Sequence, residues 1–183
     1  MGLDITAYRR VTKLDVVFDE DGEPIDKDTL EYADYDVRVY ANPDFHGREE
    51  GVEDRAAYSA EDSMGFRAGS YSGYNGWREE LAKMAGYPKS PVDRGFGDSV
   101  AMHSGGAWAA DSGPFWELIN FSDCEGVIGP AVSAKLAKDF AEWDESAKRH
   151  DEANSLNGVL YGRFQCFRQA FEMAADGGLV NFH

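Results

Sequence analysis

The apolar spacing of residues 74–85 constrains the fold more than any other feature of this sequence. Large apolar side chains recur there at the i, i+3, i+7 and i+10 positions that line one face of an α-helix, namely Tyr74, Trp77, Leu81 and Met84. The spacing of Glu79 and Lys83 predicts a favourable i,i+4 pair on the opposite face. Gly86 stands where a C-terminal cap belongs, and Pro88 blocks continuation. The pattern therefore predicts an amphipathic helix that packs one face on a core.

Other segments carry the same kinds of periodicity and together predict the fold class. Strict alternation in residues 2–11 puts Leu3, Ile5 and Ala7 on one side and predicts a strand. Further strands are predicted at residues 37–41, 55–60, 115–121 and 179–183, and further helices at 130–150 and 155–176. The glycine-rich residues 65–76 and 88–113 are predicted as loops. We therefore predict an α+β fold, with a small mixed or antiparallel sheet and about three helices packed on one face, in a single domain of residues 1–183.

Charge and cysteine content limit the class of protein. The 183 residues carry a formal net charge of −16, which disfavours direct contact with nucleic acid because phosphates require a basic patch. The two cysteines form no CxxC motif, and neither a signal peptide nor a membrane-length apolar run is evident. The start MGLDIT fits the N-myristoylation pattern, but the same residues alternate as a strand. We predict a cytoplasmic protein with no cofactor, no metal and no membrane partner.

Residues 15–36 concentrate much of the negative charge. Ten aspartates and glutamates lie in this stretch, opposed only by Lys27. An EF-hand calcium loop would need three alternating acids before its glycine, and only Asp19 and Asp21 alternate. A solvated acidic loop is the simpler prediction. The alternative is an acidic inhibitor that imitates nucleic acid, with carboxylates spaced like DNA phosphates.

A candidate binding site lies at the start of the first predicted helix, in residues 65–78, which we call the helix-start segment. Its glycines allow a backbone to approach a ligand closely, and a helix N-terminus offers N–H groups to an anion. The candidate ligand-binding residues are its polar and aromatic side chains, Arg67, Ser70, Tyr71, Ser72, Asn75 and Arg78. A small anionic or polar ligand such as a nucleotide would suit this set. The alternative is pure architecture, because Tyr74 and Trp77 belong to the buried stripe and a serine can cap the helix.

A second constellation follows the strand predicted at residues 115–121. A cysteine near a helix N-terminus can act as a nucleophile. The catalytic candidates are Cys124, Asp123, Glu125 and the imidazole of His103, which lies in the long predicted loop. They would suit a hydrolase or a transferase. Two carboxylates beside the thiol disfavour a thiolate, however, and no cysteine-nucleophile signature surrounds it.

Four blocks of sequence carry a resemblance that covers nearly the whole chain. They read MGLDITAY, MGFRAGSYSGYNGWREELAKMAGY, GPFWELINFSDCEGVIGPAVSAKLAKDF and FEMAADGGLVNFH. The chain resembles a family of uncharacterised bacterial and phage or prophage proteins that share these blocks. The resemblance implies an origin in a phage or a bacterial cytosol, and it implies no activity and no catalytic residues.

These observations favour a phage- or prophage-type accessory protein in the cytoplasm of a bacterial host. It would act by binding, either a small anionic or polar ligand at the helix-start segment or a host protein. The first alternative is the hydrolase or transferase built around Cys124. The second alternative is the acidic inhibitor that imitates nucleic acid.

Overall fold

The computed structural model describes residues 2–93, 95, 97–121 and 125–183. Within these residues the helices are α1 (Tyr71–Met84), α2 (His103–Trp108), α3 (Trp116–Ile119), α4 (Pro130–Glu142), α5 (Asp144–Ala153) and α6 (Val159–Ala174). The strands are β1 (Leu3–Arg9), β2 (Thr12–Lys13), β3 (Val16–Phe18), β4 (Pro24–Asp26), β5 (Val37–Arg38), β6 (Ala57–Ser59), β7 (Asp62–Gly69), β8 (Ser90–Asp93), β9 (Ser99–Met102), β10 (Gly126–Ile128) and β11 (Leu179–Phe182). The strand pairs are antiparallel, so the predicted α+β class is confirmed.

A four-stranded sheet, in the order β10-β11-β1-β7, lies at the centre of the fold. The alternation predicted for β1 buries Leu3, Ile5 and Ala7 on one face. Ile5 lies opposite Phe182 on β11 and opposite Phe66 on β7. Because β1 is paired along both edges, its backbone hydrogen bonds are satisfied within the sheet. The first and last predicted strands are thereby confirmed, and the structure shows in addition that they are neighbours.

Helix α6 joins this sheet to the other helices. Its buried stripe includes Leu160, Phe164, Phe167 and Phe171. The ring of Phe167 has its centre 5.0 Å from that of Phe66 on β7 and 4.6 Å from that of Trp77 on α1. Burying one such side chain contributes about 1.5–3 kcal/mol. The aromatic stripe of α6 therefore fixes α1 against the sheet.

A second, smaller core lies on the opposite face of the central sheet. Leu179 and Val180 are neighbours on β11, so their side chains point to opposite faces. Val180 belongs to the main core under the helices, whereas Leu179 packs into the second cluster. The remaining apolar side chains of this cluster come mostly from the three-stranded sheet β2-β6-β5 and its flanks, with Val37, Val39, Ala56, Tyr58 and Val127 buried.

Residues 115–121 contain a helix, and the strand predicted there is wrong. The short helix α3 follows Phe115, whose backbone is left-handed at φ 56° and whose N–H donates to Asp139 Oδ2 at 2.7 Å. A short apolar run does not by itself distinguish a buried strand from a buried helix. Here the turn at Phe115 and its bond to α4 start the helix.

Both predicted loops contain regular structure. Strand β7 takes up residues 62–69, so the first part of the helix-start segment pairs with β1. The long segment after Pro88 forms the hairpin β8–β9 and then α2. Helix α2 lies directly on the backbone before it: a Cβ on Gly106 would stand 1.8 Å from the carbonyl oxygen of Pro88, and one on Gly105 would stand 2.6 Å from that of Ser90. Only glycine permits this approach.

The helix predicted over residues 130–150 divides in two. Helix α4 ends before Trp143, whose φ of −99° and ψ of 5° leave the helical region. Asp144 and Glu145 then occupy the first turn of α5, where negative charge is favourable. Pro130 opens α4 at the predicted first position.

The acidic residues 15–36 fold in part as the hairpin β3–β4 and are not a simple loop. The Asp19 carboxylate closes the hairpin turn by accepting the N–H groups of Asp21 at 3.0 Å and Glu23 at 2.7 Å. The cluster is therefore partly ordered by its own carboxylates. Its imitation of nucleic acid stays a prediction.

Candidate functional site

The start of α1 is capped by its own chain. Ser70 is the N-cap, and its Oγ accepts a hydrogen bond from the Gly73 N–H at 3.1 Å. The same Oγ lies 3.2 Å from the hydroxyl of Ser72. The cap removes one N–H group from the set that the sequence offered to an anion. The serines of the helix-start segment thus serve the helix itself.

The other candidates of this segment point in different directions. Arg67 is an exposed residue of β7, one residue before the buried Ala68. Tyr71 is 38% exposed at the first position of α1. Asn75 is exposed, and its Oδ1 accepts a hydrogen bond from Arg78 Nη2 at 2.5 Å.

Arg78 is buried and holds two helices together. Its side chain is 4% exposed, and Nη1 donates to the carbonyl of Ile119 at the end of α3. Its guanidinium also lies over the ring of Tyr74, 5.1 Å from the ring centre. A guanidinium placed in this way stabilises the α1–α3 contact and is not presented to solvent. Arg78 therefore has an architectural role in this structure.

The helix-start segment contacts Phe121, which precedes the second constellation in the chain. The hydroxyl of Tyr74 donates to the carbonyl of Phe121 at 3.3 Å, directly before the catalytic candidates. Asp123 and Cys124 lie outside the described residues. Glu125 is exposed, and its carbonyl accepts a hydrogen bond from Asn42 Nδ2 at 2.7 Å. Nothing in the sequence indicated that Tyr74 contacts Phe121.

His103 is placed at the start of α2. Its Nδ1 lies 2.6 Å from the carbonyl of Tyr87, and because a carbonyl only accepts, this nitrogen carries the ring proton. The Glu79 carboxylate accepts the N–H groups of His103 at 2.8 Å and Ser104 at 2.7 Å. Burial pushes the pKa of Glu79 upward, but these hydrogen bonds outweigh it, and the pKa lies below its ordinary value. His103 thus faces α1 and Tyr87, whereas Glu125 contacts the chain at Asn42.

The structure presents a polar and aromatic groove that the sequence did not predict as a site. It has a volume of about 450 Å³, and we call it the tryptophan groove. Its walls come from the loop after β5, from α2 and from α3, and they comprise Asp44, Phe45, His46, Arg48, Trp108, Trp116 and Asn120. Ligand sites in proteins share this size and this mixture of aromatic surface with a few polar groups.

The two indoles of the groove are held in place by their own N–H groups. Trp108 Nε1 donates to the carbonyl of Ile119 at 3.4 Å, and Trp116 Nε1 donates to that of Ala110 at 2.7 Å. Trp108 is nonetheless 45% exposed. An indole that is fixed and still open to solvent offers a rigid flat surface to a ligand.

Arg48 forms the floor of the groove. Its guanidinium lies over the ring of Trp116, 4.7 Å from the centre, and Nε donates to the carbonyl of Glu117 at 3.0 Å. The residue is 8% exposed, and burial lowers the pKa of its guanidinium, against the opposing effect of Glu117 and Glu49. Its carbonyl accepts the N–H of Gly129 at 2.7 Å. These bonds tie the loop to α3 and to the end of β10.

The side-chain amide of Asn120, in the groove wall, is only partly paired. Its Nδ2 lies 3.5 Å from the carbonyl of Ala107, and its Oδ1 is covered and finds no hydrogen-bond partner among the described residues. Such a group costs about 1–3 kcal/mol when it stays unpaired. A donor supplied from the groove, after a small rotation of the amide, would remove this penalty.

Sequence reasoning missed the tryptophan groove because its walls are distant in the chain. His46 and Arg48 lie in a stretch that predicts only a loop, and Trp116 lay in a predicted buried strand. The one usable signal was the presence of two tryptophans within residues 108–116, beside a long predicted loop. Nothing in the sequence indicated that Trp108 is exposed.

A second groove, of about 340 Å³, runs between α1 and α6. Its lining is mostly apolar, with Trp77, Leu160 and the 63% exposed Val159 among its members. Arg163 closes one end by donating from Nη1 to the carbonyl of Gly73 at 2.9 Å. It offers few groups that would orient a polar ligand.

Among the described residues, no three histidine, cysteine, aspartate or glutamate side chains are grouped so as to hold a metal ion. In the same residues no helix has the length and apolar character needed to cross a membrane.

Comparison of the chain with protein-family models, with curated proteins and with solved structures found no significant match. The function is therefore argued from the geometry of the tryptophan groove.

Proposed function

We propose that this protein acts by binding a small polar ligand with a flat face, and that the ligand occupies the tryptophan groove. The observation that carries the proposal is Trp108, an indole anchored by its N–H and yet 45% exposed. An exposed indole leaves apolar surface in water, which is unfavourable. A ligand that covers the indole gains the free energy of burying its surface. The side chain is already ordered, so the ligand does not have to order it.

The contrast with the helix-start segment supports the choice of groove. There, Ser70 caps the helix and Arg78 is buried against α3. In the tryptophan groove, aromatic surface and polar side chains face a common space of about 450 Å³. Convergence of this kind is what binding sites require, whereas polar residues that bond to one another do not form one.

The experiment is a ligand screen read by two-dimensional ¹H–¹⁵N NMR, with the tryptophan indole N–H signals resolved. Binding in the groove shifts the signals of Trp108 and Trp116 and leaves that of Trp77 unchanged, because the Trp77 N–H is buried on the carbonyl of Leu160. Trp108→Ala abolishes the shift at Trp116, and the matched control Tyr71→Ala retains it. A ligand that shifts only the signals of residues 70–78 would refute the proposal.

The other functional hypotheses drawn from the sequence stay predictions. An enzyme built around Cys124 would need Asp123 and Cys124, which lie outside the described residues. The phage or prophage origin and the host-protein partner rest on the sequence resemblance. The proposed binding function requires neither of them.

A further inference from the structure

Resting on the proposed function, we infer that the ligand of the tryptophan groove is an uncharged carbohydrate of one or two pyranose rings. Three features of the groove lead to this chemistry: its charge, its flat apolar surfaces and its unpaired amide oxygen. The charge disfavours the phosphorylated ligands that the sequence favoured, and the other two features provide surface and a polar group that a sugar ring can use.

The charge of the groove does not suit an anion. Its lining holds one guanidinium, of Arg48, and one exposed carboxylate, of Asp44. The guanidinium is partly engaged, because Nε and Nη1 donate to the carbonyls of Glu117 and His46 and its face lies on Trp116. Recognition of a phosphate uses the fork of N–H groups at the end of the side chain, presented to the ligand. A phosphorylated ligand would instead approach Asp44 in a chain of net charge −16.

The surfaces of the groove suit a ring with an apolar face and a polar rim. One face of a pyranose carries C–H groups, which pack against an indole, while its hydroxyls project around the edge. Trp108 supplies the exposed indole, and Asp44, His46 and Asn120 supply carboxylate, imidazole and amide at the walls. These groups both accept and donate hydrogen bonds, as adjacent hydroxyls require.

Asn120 adds an observation that is independent of the aromatic surface. Its Oδ1 is covered and has no hydrogen-bond partner among the described residues. The oxygen requires a donor, and a sugar hydroxyl can supply one. Once the amide has rotated toward the groove, a sugar hydroxyl can donate a hydrogen bond to this oxygen.

The test titrates the whole protein with matched neutral and charged probes and follows the indole N–H signals. The neutral probes are glucose, galactose, mannose, N-acetylglucosamine, cellobiose and chitobiose, and the charged match is glucose 6-phosphate. Adenosine and its monophosphate form a second pair. We expect at least one neutral sugar to bind with Kd on the order of 1 mM or tighter, shifting Trp108 and Trp116 but not Trp77. We expect glucose 6-phosphate to bind several-fold more weakly than glucose, if glucose binds, and otherwise not at all.

Variants make the result specific to the groove. Trp108→Ala lowers sugar affinity by about tenfold or more and Trp108→Phe by less, because phenylalanine keeps a smaller flat surface. Asn120→Ala lowers it about three- to tenfold, and Val159→Ala in the other groove leaves it unchanged. The melting temperature of each variant confirms that it is folded.

The outcomes separate this inference from the proposed function. If adenosine shifts Trp108 and no sugar does, the carbohydrate assignment is overturned while binding in the groove stands. If a phosphorylated probe binds more tightly than its neutral match, the assignment is likewise overturned. If no probe shifts Trp108 or Trp116, both proposals fail.

Discussion

The helix-start segment and the tryptophan groove are both rich in polar and aromatic residues, but their polar groups do different things. In the first, Ser70 bonds to Gly73 and Arg78 bonds to Asn75 and to the end of α3. In the second, Trp108 is exposed and the Asn120 oxygen is unpaired among the described residues. In the first region Ser70, Asn75 and Arg78 are bonded within the fold, whereas in the second the covered oxygen of Asn120 has no partner among the described residues.

The difference teaches how to weigh a conspicuous stretch of sequence. A cluster of glycine, serine, tyrosine and arginine shows where polar groups are concentrated, but not whether the chain supplies their partners. Buried polar groups are nearly always paired, so a group without a partner is the informative one. Such a group is visible only once distant segments are brought together.

The largest expected effect tests the architectural role of Arg78. Arg78→Met removes a buried guanidinium that bonds to the carbonyl of Ile119 and lies on Tyr74. We expect a loss of about 2–4 kcal/mol in the free energy of unfolding, measured by urea denaturation. The matched control Arg67→Met, at an exposed position of β7, should change it by less than about 0.5 kcal/mol. Equal effects of the two substitutions would contradict the contrast between the regions.

The next effect concerns Glu79, which lies on α1 and accepts hydrogen bonds from the first N–H groups of α2. Glu79→Ala leaves the N–H groups of His103 and Ser104 without this partner. We expect a loss of about 1–3 kcal/mol and a shifted indole N–H signal for Trp108, which ends α2. Exposed Glu152→Ala is the control and should do neither. An unchanged Trp108 signal would show that the groove is independent of α1.

The same carboxylate predicts a pH dependence. Because the pKa of Glu79 is lower in the folded protein, its contribution is present above the unfolded pKa and is lost as the pH falls through the folded value. Wild type should therefore lose more stability than Glu79→Ala between neutral and acidic pH. Thermal unfolding at a series of pH values measures this difference, and parallel curves would rule it out.

A smaller effect is expected at the cap of α1. Ser70→Ala removes the acceptor of the Gly73 N–H and should lower the free energy of unfolding by about 1 kcal/mol. Ser72→Ala removes a hydroxyl that contacts Ser70 Oγ, and it should lower the free energy of unfolding by less. Neither should alter the affinity of a ligand in the tryptophan groove. If Ser70→Ala changed that affinity, the result would indicate that the ligand binds at the start of α1.

The smallest effect on stability concerns the phenol of Tyr87, and it does not show at neutral pH. The backbone carbonyl of Tyr87 contacts His103, and its hydroxyl donates to the carbonyl of Pro114. Burial, with Glu117 and Asp139 nearby, raises the pKa of this phenol to about 12. Its contribution to stability is full below the unfolded value near pH 10 and is lost as the pH rises toward 12. An absorbance titration of tyrosinate should show a late-titrating tyrosine that Tyr87→Phe removes. An unchanged titration curve would place Tyr87 in solvent.

Elements with a long apolar period could be predicted from the sequence, and short ones could not. Helices α1 and α6 were predicted because their stripes extend over three or more turns, and β1 because its alternation is strict. Strand β7 was missed because Gly65 and Gly69 interrupt its apolar residues. Helix α3 was missed because its four residues, three of them apolar, fit either structure.

The candidate site was less predictable than the fold for a physical reason. Periodicity reports which side chains face a core, and it carries no information about which loops meet. The walls of the tryptophan groove are about 60 residues apart in the chain, at His46 and Trp108. Only the packing of α2 and α3 against the loop after β5 creates their common space.

Helix α2 packs directly against the backbone carbonyls of Pro88 and Ser90, and this contact limits which substitutions the protein tolerates. Gly105 and Gly106 do not line the tryptophan groove, yet any side chain at either position would collide with the carbonyls of Pro88 or Ser90. The collision would lift the helix and carry Trp108 with it. A saturation library selected for function should therefore be depleted at these two glycines as strongly as at residues that touch the bound molecule, although their part is only to let two stretches of main chain meet.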